Sequence, residues 1–192
     1  MGKNIVAIVG IETVRSPSGK VLRYADTFWD NMLTYRMEHP EDNVALVDAR
    51  DYIKEVNPIE AVWRAVVAHG SISKLLYSGH SSSESLVCFS HTRKELPVEQ
   101  RYFRAGFHYT APWESDATFT ILGCQAGGER AQKWSNSIAQ IIANKINRTV
   151  WAFVSKSYQT EGPKCHFHQV ADDKIGLVEF TPMEKIMKQS IK

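Results

Sequence analysis

His80 and Cys124 each follow a glycine at the end of an apolar run. The runs read Leu75-Leu76-Tyr77-Ser78-Gly79-His80-Ser81 and Phe119-Thr120-Ile121-Leu122-Gly123-Cys124-Gln125-Ala126-Gly127-Gly128. A thiolate is a strong nucleophile, and a nearby imidazole lowers a thiol pKa or carries a proton to a leaving amine, so the pair is equipped for acyl transfer. Neither residue carries that reading alone. Cysteine is among the most buried residue types, and a solitary histidine is more often a hydrogen-bonded loop residue. Their matched placement, each one residue past a glycine at a strand end, is what distinguishes them.

That placement depends on the elements that hold it. Five apolar runs rich in β-branched residues have strand length: 4–11, 43–48, 74–78, 118–123 and 149–155. They are nearly continuous rather than alternating, as expected of strands buried on both faces of a parallel sheet. Helices are expected between them. Residues 24–38 place Phe28, Trp29, Leu33 and Met37 on one stripe before Pro40. Asn57-Pro58-Ile59-Glu60 supplies an N-cap, a proline at the first helical position and a first-turn carboxylate, and Gly70 follows the helix end. Residues 129–147 form the longest helical pattern, with Trp134, Ile138, Ile141, Ile142 and Ile146 in register and Asn147 as C-cap.

The resulting order is that of a doubly wound sheet, and the fold class expected is a three-layer α/β/α sandwich with a mostly parallel central sheet. The whole of 1–192 is expected to be a single domain. Residues 174–180 are expected to add an edge strand and 182–191 a terminal helix. Residues 81–112 are expected to hold a hairpin around 86–89 and a short helix over 100–107, and 157–173, with Gly162-Pro163, to be a loop.

In such sheets ligands sit beyond the carboxyl ends of the strands, where His80 and Cys124 lie. If their strands are neighbours, about 4.8 Å apart, the two side chains meet at that edge. The helix opening near Glu129 would aim free N–H groups and its positive end at the Cys124 loop. Backbone N–H groups of Cys124 and of the 79–81 turn would supply an oxyanion hole.

Other chemistries are disfavoured. The formal net charge is +2 with basic residues spread along the chain, which gives no concentrated patch for nucleic acid. No apolar run has transmembrane length, and the N-terminus lacks the layout of a signal peptide, so a soluble cytoplasmic protein with no membrane partner is expected. Cys88, Cys124 and Cys165 form an odd set with no C-x-x-C spacing, which suggests neither a disulfide framework nor a zinc cage. Cys165, His166 and His168 cluster locally, but neighbouring residues of a strand point oppositely and no fourth ligand is evident, so no metal is expected. Ser81-Ser82-Ser83 does not fit the G-x-S-x-G elbow, and no G-x-G-x-x-G follows the first strand. A flavodoxin-like binding module is compatible with the fold but has little residue support.

The strand-Gly-His element followed by strand-Gly-Cys-x-x-Gly resembles the caspase-like cysteine peptidases, the group of caspases, separases, gingipains and CHAT domains. The segment Leu122-Gly123-Cys124-Gln125-Ala126-Gly127 is especially similar to the separase and self-processing toxin pattern, and the likeness extends from the first strand through Ser155. The resemblance implies a cysteine endopeptidase acting on protein or peptide substrates without a cofactor. Cys124 would be the nucleophile, His80 the proton shuttle, and the Gly79, Ser81 and Gly123 backbone the oxyanion region. Many members carry glycine directly after the histidine, where this chain has Ser81. An inactive caspase-like binding module is the alternative. The resemblance also places the pocket for the residue before the scissile bond in the loops after the first and fifth strands. There Glu12, Glu161, Asp172 and Asp173 would favour a basic residue, while Arg15, Lys156 and Lys164 lie in the same segments.

Overall fold

The computed structural model describes residues 2–15, 21–25, 27–89, 102–128, 136–155, 157–161, 167–171 and 176–183; in the strands at 12–15, 21–25, 157–161 and 167–171 only the backbone path is described. In chain order the elements are β1 (Asn4–Val9), β2 (Glu12–Arg15), β3 (Val21–Ala25), α1 (Thr27–Glu38), β4 (Asn43–Asp48), a 3-10 turn (Ala49–Tyr52), α2 (Pro58–Ala68), β5 (Ile72–Ser78), β6 (His80–Ser81) and β7 (Ser85–Val87). There follow β8 (Tyr102–Arg104), β9 (Trp113–Ile121), α3 (Ile138–Ile146), β10 (Thr149–Phe153), β11 (Ser157–Glu161), β12 (Phe167–Ala171) and β13 (Leu177–Phe180).

All five expected strands lie in one six-stranded sheet of order β13-β10-β9-β5-β1-β4. Every pairing is parallel except the last, in which β13 runs antiparallel to β10 as the expected edge strand. The continuous apolar reading of β1 has its cause in the two faces it serves. Val6 and Ile8 belong with Val62, Trp63 and Val66 of α2 to one buried cluster, which continues across the sheet to Ile138 and Ile142 of α3. Ile5, Ala7 and Val9 pack with Phe28 and Met32 of α1. At about 1.5–3 kcal/mol per fully buried aliphatic or aromatic side chain, these two clusters anchor the sheet that carries the site. Among the described residues no helix is long and apolar enough to cross a membrane.

Several local expectations change. Tyr24 belongs to β3, which forms a hairpin with β2, so α1 begins at Thr27 rather than Tyr24. Its buried face holds Phe28, Asn31, Met32 and Thr34, while Met37 is 65% exposed. The stripe drawn through Met37 therefore misses the packed face, because Phe28 and Met32 already turn the next helical step toward Tyr35. The expected helix over 100–107 is instead strand at β8, where Phe103 is buried opposite Leu86 between the outward Tyr102 and Arg104. Period-two burial wins there over helical spacing. The segment read as a loop after Ser155 contains the antiparallel hairpin β11–β12. Ser137 in extended conformation (φ −69°, ψ 153°) caps α3, so the helix starts at Ile138, and Asn147 closes it in the left-handed conformation as expected. Residues 129–135, with Trp134, and most of the expected 182–191 helix lie outside the described residues.

Candidate active site

Strands β5 and β9 are direct neighbours, with Leu75 beside Phe119, Leu76 beside Thr120 and Tyr77 beside Ile121. The Leu122 N–H continues the ladder by donating to the Tyr77 carbonyl at 2.8 Å. Carried three residues past Tyr77, this register sets Gly79 beside Gly123 and His80 beside Cys124. The two loops then touch along their backbones. A Cβ on Gly123 would overlap the Ser81 hydroxyl and stand 2.6 Å from the Gly79 carbonyl oxygen, and a Cβ on Gly79 would meet the Tyr77 hydroxyl at 2.5 Å. The glycine before Cys124 is thus required by close packing of the two strand ends, and the glycine before His80 by the buried Tyr77 ring of its own strand.

Each candidate side chain has identifiable supports. His80 is exposed, and its ring meets the ring of buried Phe28 edge-on, with centroids 5.0 Å apart and an interplanar angle of 89°. The Tyr77 hydroxyl donates to the His80 carbonyl at 2.9 Å from within the core. Cys124 is half-buried. The Ser81 hydroxyl donates to its carbonyl at 2.7 Å, and the N–H of the same peptide unit, that of Gln125, donates to the Ser155 carbonyl at 2.9 Å. Gln125 has φ 54°, a conformation that costs a non-glycine residue on the order of 1 kcal/mol and persists where surrounding bonds enforce it.

The start of α3 reaches both loops, though differently from expectation. The Ile138 N–H donates to the Ser83 carbonyl at 2.7 Å and that of Ala139 to the Ala126 carbonyl at 3.1 Å. The Gln140 N–H takes the Ser137 hydroxyl at 3.3 Å. These donors are occupied in tying the His80 loop to the Cys124 turn, so they are not free to face a thiolate. Ser81 lies opposite Leu86 in the β6–β7 ladder, one step from the Ser82 N–H bond to the Ser85 carbonyl. By antiparallel alternation its own N–H points away from β7.

Glu12 sits at the root of the β2–β3 hairpin, opposite Ala25, whereas Glu161 ends β11 at the tip of its hairpin, opposite Phe167. Asp172 and Asp173 lie outside the described residues, as do Lys156, Lys164, Cys165 and His166. Of the three cysteines Cys88 is fully buried, and burial pushes its thiol far above the usual range. Phe28 and Tyr77 were legible in the sequence only as helix and strand residues, not as supports of His80. Phe28 is 52 residues from His80, a separation no local spacing reveals.

Two concave surfaces lie elsewhere. One of about 450 Å³ is lined by Asn57, Glu60, Tyr102, Arg104 and Phe107, the other, of about 540 Å³, by Lys3, Tyr35, His39, Asp42 and Lys74. Neither is lined by His80 or Cys124.

Comparison with known protein families, with curated proteins and with solved structures finds no match for this chain.

Proposed function

We propose that this chain is a cysteine endopeptidase of caspase-like α/β/α architecture that cleaves peptide bonds through Cys124 and His80. The observation that carries the reading is the β5–β9 register, which, continued past Tyr77 and Ile121 into the touching loops at Gly79 and Gly123, supports His80 and Cys124 as neighbours at the carboxyl edge of the sheet. Helices packing against opposite faces of β1 support the three-layer arrangement.

In the reaction the Cys124 thiolate attacks the scissile carbonyl carbon and gives a tetrahedral intermediate. Protonated His80 gives its proton to the leaving amine as the C–N bond breaks, which leaves a thioester on Cys124. His80 then takes a proton from water, whose oxygen attacks the thioester carbonyl. The carboxylic acid departs and the thiolate is restored. The Ser81 N–H, turned away from β7, is the donor proposed for the oxyanion. A reducing compartment such as the cytoplasm keeps the thiol in the form this cycle needs. Glu12 and Glu161, in the hairpins that follow β1 and β10, favour a basic residue before the scissile bond.

A positional library of peptides tests activity and specificity together. The expected result is cleavage after Lys or Arg, lost on Cys124→Ala, with an electrophilic peptide labelling Cys124 and sparing Cys88. Turnover that survives Cys124→Ala would overturn the mechanism. Cleavage after acidic or apolar residues would overturn the specificity alone.

A further inference from the structure

We infer that Ser81 is a positioning residue whose hydroxyl bolts the Cys124–Gln125 peptide in the orientation that presents the Cys124 side chain. This rests on the peptidase reading for its consequence in turnover, though not for the bolt itself. The Cys124–Gln125 peptide plane is gripped at both ends. From the β5 side the Ser81 hydroxyl donates to its carbonyl at 2.7 Å, and from the β10 side the Ser155 carbonyl accepts its N–H at 2.9 Å. A peptide plane held at oxygen and nitrogen fixes ψ of Cys124 and φ of Gln125, which stands at 54°. The direction of the Cys124 Cα–Cβ bond relative to that plane follows from ψ of Cys124.

Sterics agree with the hydrogen bond. The Ser81 hydroxyl and Cβ lie directly over Gly123, so the side chain fills the space that any larger residue at 123 would take. Its proton is committed to a carbonyl, which argues against Ser81 as a nucleophile or general acid. A residue without a side-chain hydroxyl at 81 would remove this donor from the Cys124 carbonyl and with it the tie from the β5 side, leaving the strained turn to its bonds with Ser155, Phe153 and α3. Serine at this position is accounted for by the carbonyl its hydroxyl holds and by the space its side chain fills over Gly123.

The test compares wild type with Ser81→Ala and Ser81→Thr. Two quantities are read: turnover of a cleaved peptide, and the rate of Cys124 carbamidomethylation from pH 5 to 10, with Cys88 in the same digest reporting any opening of the core. Alanine is expected to lower kcat about ten- to a hundredfold with KM little changed, since misplacing a reacting atom by an ångström costs up to about a hundredfold. It should also shift the pH profile of Cys124 alkylation while Cys88 stays protected. Threonine, which keeps the hydroxyl, should recover much of both. The inference is overturned if alanine matches wild type in the alkylation profile, if threonine behaves as alanine does, or if Cys88 labels in step with Cys124. If no variant or wild type turns over peptide but alkylation still depends on the hydroxyl, the peptidase reading falls and the bolt stands.

Discussion

At the scale of single residues, His80 has the two features a proton shuttle needs: an exposed ring and a fixed backbone. Its carbonyl is held by Tyr77 and its ring by the edge-on contact with Phe28, so the imidazole is oriented without being enclosed. Removing it should therefore cost chemistry more than packing. On the proposed peptidase mechanism, His80→Ala is expected to lower kcat/KM by ~10²–10⁴-fold, the range of general acid–base help, and to approach the loss in Cys124→Ala, as for groups that act as one catalytic unit. Thermal unfolding should place both variants near wild type. Near-normal turnover in His80→Ala would remove the histidine from the mechanism. Unfolding of that variant would instead assign His80 a packing role beside Phe28.

At the scale of elements, the site is a junction of strand ends and a helix start. The β5 and β9 loops touch backbone to backbone at Gly79 and Gly123, and α3 staples both through the Ser83 and Ala126 carbonyls. Gly123→Ala is expected to destabilise the fold by about 1–3 kcal/mol, the usual cost of overpacking, because the new methyl group meets the Ser81 hydroxyl and the Gly79 carbonyl. Denaturant midpoints would measure this, and a midpoint equal to wild type would show that the loops can separate freely. Much of this junction was legible beforehand. Continuous β-branched runs gave the five sheet strands, and Gly-His and Gly-Cys at two of their ends marked the edge. The short hairpins were not legible, since β2–β3 and β11–β12 are four- and five-residue strands of mixed polar and apolar residues without alternation, whose pairing depends on where the sheet launches them. Nor was the start of α3, where the apolar period continues upstream but the Ser137 cap ends the helix. The Ser81 bond to Cys124 was hidden for a different reason. It joins residues 43 apart that share no motif and meet only through register.

At the scale of the whole molecule, the cluster beneath α2 and α3 runs without a break from the sheet into the small β6-β7-β8 sheet beside the site, and Cys88 lies inside it. The Cys88 carbonyl accepts the Ile11 N–H at 3.0 Å, which ties the end of β1 to that small sheet. Burial, and secondarily the charge of Asp48, raises the Cys88 pKa far above that of a thiol in the unfolded chain. A folded-state pKa raised above the unfolded one contributes stability that is fully present below the unfolded value, about 8.5, and is lost as pH rises beyond it. Between pH 8.5 and 9.5 the unfolded thiol ionises while the folded one does not, and the loss approaches about 1.4 kcal/mol per pH unit. Tyr77 and Tyr109 are also raised by burial, but unfolded tyrosines ionise only near pH 10 and act above this window. Lys74 is lowered by burial beside Lys3, and this works in the opposite sense, with stability rising through its own window below about pH 10. These groups, with Cys124 and Cys165, are common to wild type and Cys88→Ala, so their effects cancel in the comparison. Urea unfolding of both proteins at steps from pH 7 to 9.5 should then show a lower starting stability for Cys88→Ala, from the small cavity, but a visibly shallower alkaline decline. Parallel curves would mean that Cys88 ionises as readily in the folded protein as in the unfolded chain, and that this part of the core admits water.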